Sequence, residues 1–214
     1  MEFINRIINT LVRPKEAIKN ISSTPLIEEA VMIVGVYALF SALATYIQST
    51  KIRIITEGVS PGSSELLSTI GIVMPIVFTF IIWFILAGII HIISMAVGGS
   101  GKFYPHTMVL VGFAMLPLIL SSIISAIIIT TAETSTITIS LQNTLATQQA
   151  MNEVQSRTPF LVSTIINTTA WVWFLAIIYL ELQVHHKLSQ RIALIMVAIP
   201  TVLALLNIVE LVMK

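Results

Sequence analysis

The 214 residues are 56% hydrophobic and only 10% charged, with no aspartate, no cysteine and a net charge of +1. A water-soluble domain cannot hide so large an apolar fraction, and the missing cysteines exclude disulfides, thiolate metal sites and cysteine nucleophiles. The near-neutral charge balance gives no electrostatic reason for a nucleic-acid partner.

Residues 1–23 form a polar, mixed-charge arm without the short apolar core and small-residue cleavage site of a removable signal peptide. From Phe3 to Val12, helical spacing puts Phe3, Ile4, Ile7, Ile8, Leu11 and Val12 on one face, opposite Asn5, Arg6, Asn9 and Arg13. Such a helix suits a membrane interface, with its arginines available to anionic headgroups, and equally suits packing beneath a helix bundle. Pro14 ends it either way.

Residues 24–214 form the membrane domain, and five stretches meet the roughly 18-residue requirement for a spanning helix. They run over 30–47, 66–97, 109–131, 160–180 and 192–209. The second is long enough to require tilting, kinking or extension beyond the hydrocarbon. Pro75, Pro117 and Pro200 fall inside the second, third and fifth. Pro25, Pro105 and Pro159 instead sit at helix starts, where the first turn has no use for an N–H. The Gly98-Gly99-Ser100-Gly101 run forces a tight turn, predicting that the second and third spans form an antiparallel hairpin. Residues 133–157 are rich in Ser, Thr, Gln and Asn, with Ile137, Leu141, Leu145 and Met151 at roughly helical spacing. That segment is expected to be a partly ordered external cap, with a disordered loop as the alternative. No repeat of solenoid type is present.

Of the Lys and Arg residues, seven lie on the side of the arm and four on the other. The excess predicts a cytoplasmic N-terminus, an external C-terminus and a cell-membrane location. The fold expected is an all-α integral membrane protein: five transmembrane helices with an N-terminal interfacial amphipathic helix.

Two stretches resemble the Yip domain family, named for eukaryotic members that interact with Ypt and Rab GTPases. One is His91-Ile-Ile-Ser-Met-Ala-Val-Gly-Gly-Ser-Gly-Lys-Phe103 followed by Gly112-Phe-Ala-Met-Leu-Pro117; the other is Arg13-Pro-Lys-Glu-Ala-Ile-Lys19. The link His185-His-Lys-Leu-Ser-Gln-Arg-Ile-Ala193 is similar in character. The resemblance implies a five-helix bundle with a cytoplasmic N-terminus. The arm is short beside the cytosolic region of eukaryotic members, so the match is to the uncharacterised prokaryotic branch.

On this topology His91, His106, Glu181, His185 and His186 gather at one side of the membrane. Glu181 and His185 share a helix face at four-residue spacing, so His91, His106, Glu181 and His185 could hold a divalent metal such as Zn. No HExxH or comparable signature accompanies them, and the same groups could instead sense pH or pass protons. Asn167 and Asn207 are expected to bond neighbouring helices, and Asn207 could pair with Glu210. The Asn20 and Asn167 glycosylation patterns fall on the cytoplasmic side and in lipid. Without a nucleophile elbow, P-loop or paired carboxylates, the chain reads as non-enzymatic, without cofactor. The leading function is to organise membranes or bind a partner, either another copy or a different membrane protein. Alternatives are a small transporter or channel component, and a metal-binding membrane protein.

Overall fold

A computed structural model describes residues 2–56, 61–139 and 144–212. The arm is two helices, α1 (Glu2–Val12) and α2 (Pro14–Ser23). Arg13, which precedes a proline, leaves the helical region with φ −135° and ψ 60°, as steric conflict with the proline ring requires. Pro14 then occupies the first turn of α2, so α1 ends before it, as expected, and a second helix starts there.

Which face of α1 is buried differs from the sequence expectation. Phe3, Ile7 and Leu11 pack on the core, and Phe3 meets Phe113 edge-on at 6.4 Å. Ile4, Ile8 and Val12 face outward at 60, 52 and 70% exposure. Arg6, expected to reach headgroups, is only 4% exposed. Its Nη1–H donates to Glu29 at 2.9 Å and to the Thr24 carbonyl at 3.1 Å. A buried carboxylate across from it outweighs simple amphipathicity, because an unpaired charge there would be costly.

The bundle comprises α3 (Ile27–Lys51), α4 (Pro61–Ala96), α5 (Met108–Ala114), α6 (Leu116–Thr130), α8 (Thr158–Val184) and α9 (Gln190–Val212). Among the described residues, Ile27–Lys51, Val73–Ala96, Phe103–Thr130 and Thr158–Val184 are long and apolar enough to cross a membrane. Gln190–Leu206 is a shorter apolar helix. Large side chains such as Leu39, Ile92, Ile195 and Leu203 are more than half exposed. On helices this apolar, such outward faces are made for lipid.

Helices α5 and α6 form the central column, with Val109, Leu110, Phe113, Leu116 and Leu118 buried. Proline 117 has no N–H for the carbonyl four residues earlier, so the column breaks at Met115 and tightens there, with Met115 N–H donating to the Gly112 carbonyl at 3.2 Å. By contrast α4 and α9 run on through Pro75 and Pro200. A Cβ on Gly112 would sit 2.8 Å from that of Ala30, so α3 and α5 approach at backbone distance. Trp83 is buried and donates its indole N–H to the Met108 carbonyl at 3.0 Å, tying α4 to the column.

At the end distant from the arm, β1 (Ile52–Thr56) pairs in parallel with β2 (Ser135–Ile139), Ile54 opposite Ile137. The strands continue α3 and α6, which leave the bundle in the same direction, so parallel pairing follows. Helix α7 (Thr144–Ser156) completes this cap; Val154 packs with Ile137, Ile129 and Phe160 in a small second core. The segment expected as a partly ordered cap contains a strand and a helix. Residues 140–143 of it lie outside the described residues, as do the side chains of Leu141, Leu145, Met151, Asn207 and Glu210.

Candidate functional site at the arm end of the bundle

The site is assembled by two helix ends that glycines bring together. Helix α4 ends in a Schellman motif: Gly98 takes φ 91°, its N–H donates to the Met95 carbonyl, and the Gly99 N–H donates to the Ser94 carbonyl at 2.8 Å. The chain then crosses the end of α8, where the Ser100 N–H donates to the His186 carbonyl at 3.1 Å. A Cβ on Gly101 would stand 2.5 Å from His186 Nδ1 and 2.8 Å from His185 Nε2. Only glycine permits the turn to lie against both imidazoles.

Helix α8 stops at Val184 and Lys187 adopts a left-handed φ of 56°. His185 itself keeps helical φ and ψ, and its N–H donates to the Glu181 carbonyl at 2.8 Å. The sequence paired Glu181 with His185 at four-residue spacing, but the Glu181 carboxylate faces His186 instead, with Oε1 3.6 Å from Nε2. Glu181 and His186 are both fully buried, and neither Glu181 oxygen has a hydrogen-bond partner. Thr107 lies 3.2 Å from the same His186 nitrogen and donates its hydroxyl to the Lys102 carbonyl at 3.0 Å.

His185 faces the arm and the glycine turn. Its Nε2 lies 3.0 Å from the Lys102 N–H and 3.1 Å from the Lys102 carbonyl, and its Nδ1 lies 3.3 Å from the Ser22 hydroxyl of α2. His106 stacks on it at 5.2 Å, while His91 tilts against His186 at 5.5 Å and against Phe103 at the same distance. Both His185 and His186 lie beyond the spanning helix. Burial pushes each imidazole down to about 4, although the Lys102 backbone bond works upward at His185. Both are therefore neutral at pH 7.

All four predicted site residues, His91, His106, Glu181 and His185, are thus near one another, joined through His186. The rings stack and tilt, and among the described residues no three His, Cys, Asp or Glu side chains are grouped to hold a metal ion. The arrangement can hold and orient polar groups in a largely dry setting. Sequence spacing missed Thr107, Ser22 and the Arg6–Glu29 pair, since each acts across elements distant in the chain. Gly99 and Gly101 were the available signal, because a glycine run beside histidines marks close approach.

The Yip1 domain family model matches residues 8–211, from the middle of α1 to the end of α9. The chain belongs to the Yip1 domain family. The match takes in the bundle, α2 and the second half of α1. An uncharacterized protein of Methanocaldococcus jannaschii is 27% identical over 123 residues, covering 56% of this chain and 84% of the relative. No solved structure matches the chain. The Yip1 domain protein described here is a helical membrane protein.

Proposed function

We propose that this Yip1 domain protein is non-enzymatic and spans the cell membrane five times, with its arm on the cytoplasmic face, its C-terminus outside and 133–157 as an external cap. Its role is to organise the surrounding bilayer or a membrane partner from the arm side. The observation that carries this reading is α1: clamped to the bundle through Arg6 and Glu29, it presents Ile4, Ile8 and Val12 outward. A rigidly held helix with an apolar ridge at the edge of a spanning bundle seats in the headgroup boundary of one leaflet and expands that leaflet alone. Gln190–Leu206 serves as the fifth span, with α9 beyond it supplying further length. The seven-to-four excess of basic residues on the arm side supports the orientation.

The test is reconstitution in anionic liposomes with an environment-sensitive dye at a single Cys replacing Ile8. The chain has no native thiol to interfere. Dye emission shifts to the blue as the ridge enters lipid, and Ile4→Ser, Ile8→Ser and Val12→Ser together reduce any change in vesicle shape. A dye in water, or vesicle shape unaffected by the triple variant, would reject the role.

A further inference from the structure

Two cavities meet inside the bundle, away from the histidine cluster. One, of about 290 Å³, lies between α3, α6 and α8 in the half distant from the arm. Hydroxyl and carboxamide groups surround it, among them Ser41, Ser125, Ser163 and Asn167, and among the described residues no charged side chain does. The other, of about 240 Å³, has an apolar wall of Pro75, Phe78 and Ile82 from α4 and Met115 from the central column. The two share Tyr37, Ser41, Leu118 and Trp171. Tyr37 begins about 15 Å into α3 at the usual rise, which is near mid-depth.

Ser125 shows that the polar half is incomplete. It is 2% exposed, and its hydroxyl has no hydrogen-bond partner. Its neighbours differ: Ser121 and Ser122 both donate to the Leu118 carbonyl, which satisfies their hydrogens and leaves their oxygens able to accept. A buried hydroxyl in a charge-free, hydroxyl-lined space is matched by a neutral hydrogen-bonding group. The apolar half has a different need. Phe78 and Ile82 line it while being 49 and 50% exposed, so its mouth opens sideways onto the bilayer.

We propose that the joined cavities bind one lipid with an uncharged, hydroxylated headgroup, an acylglycerol, with its head among the serines and its chain beside Pro75 and Phe78. The layout matches a lipid's own polarity along the membrane normal. The polar half lies toward the distant interface, where a headgroup belongs, and the apolar half continues through mid-depth. A free polyol would leave the apolar half unfilled. A phosphate headgroup would find no Lys or Arg among the described residues of either lining. This inference is independent of the arm's role.

The experiment uses the full chain in nanodiscs with a monoacylglycerol carrying a photoreactive diazirine in its acyl chain. On irradiation the label enters peptides containing Tyr37, Phe78 and Leu118. Excess unlabelled monoacylglycerol removes it, and lysophosphatidic acid of equal chain length does not. Ser125→Ala deletes a hydroxyl that no other protein group uses, so the fold survives, and labelling falls about three- to tenfold with the lost hydrogen bond. Ser163→Leu, which fills the polar half, abolishes it; should that variant fail to fold, Ser125→Ala decides alone. Label spread over the outer faces, equal competition by lysophosphatidic acid, or labelling unchanged in Ser125→Ala would each overturn the proposal.

Discussion

At the arm end Arg6, Glu29, Glu181 and His186 are drawn inside the protein, whereas among the described residues of the distant end Glu133, Glu153 and Arg157 stay on the surface. There Arg157 pairs with Glu153 at 3.6 Å with both partners exposed, and the helices simply run on into β1 and β2 under a small apolar cap. Buried charges interact strongly and tolerate little displacement, while exposed ones are screened and replaceable. The arm end is therefore fixed in geometry by its chemistry, and the distant end is held by packing and backbone pairing.

The sharpest break in this contrast is the Arg6–Glu29 pair. Glu29→Ala leaves a guanidinium buried without its counter-charge and lowers stability by about 3–5 kcal/mol, read as a fall in the thermal midpoint in detergent. Glu153→Ala at the distant end loses no more than about 1 kcal/mol. Equal losses from the two would erase the distinction.

Second comes the glycine turn. Gly101→Ala drives a methyl into the two imidazoles and costs about 1–3 kcal/mol as neighbours shift. Gly88→Ala, where an added Cβ meets nothing within 4 Å, is neutral or stabilises α4 by up to about 1 kcal/mol. The same denaturation series measures both.

Acid separates the ends by a different route. His185 and His186 are held near 4 against an ordinary value of 6.5, so between those limits the unfolded chain binds protons that the folded one refuses. Stability therefore falls as pH drops from 6.5 toward 4 and is insensitive to these groups above 6.5. The partial exposure of His185 reduces its share, so fully buried His186 supplies most of an effect of about 3 kcal/mol over the window. His91, His106, Glu181 and Lys102 face the same pair, so the slope is compared with that of a His185→Gln, His186→Gln variant, which flattens it.

The smallest effect belongs to the distant half. Ser125→Ala removes an unpartnered hydroxyl and shifts stability of the lipid-free protein by about 0.5 kcal/mol or less.

Much of the bundle was legible because hydrocarbon excludes charge, which leaves the middle of α3, α5–α6 and most of α8 as uncharged lengths of chain. The turn at Gly98–Gly101 was legible for a local reason, since those residues meet a backbone demand within a few positions. The parallel pair β1–β2 was not, because it depends on α3 and α6 emerging side by side. Burial of Arg6 was hidden likewise, as its partner lies 23 residues away. The histidines could be placed at one end by following the alternation of spans. Which of them meets Glu181 could not, since the His185 ring is claimed by Lys102 and Ser22, partners distant in the chain.

Most direct is accessibility of single cysteines on the two ends in intact cells. Lys19→Cys lies exposed on α2 and Gln148→Cys exposed on α7. A membrane-impermeant maleimide labels Gln148→Cys at once and Lys19→Cys only after the membrane is opened, if the bundle spans the bilayer with its arm inside. Both positions labelling alike in intact cells, or the reverse order, would contradict the account.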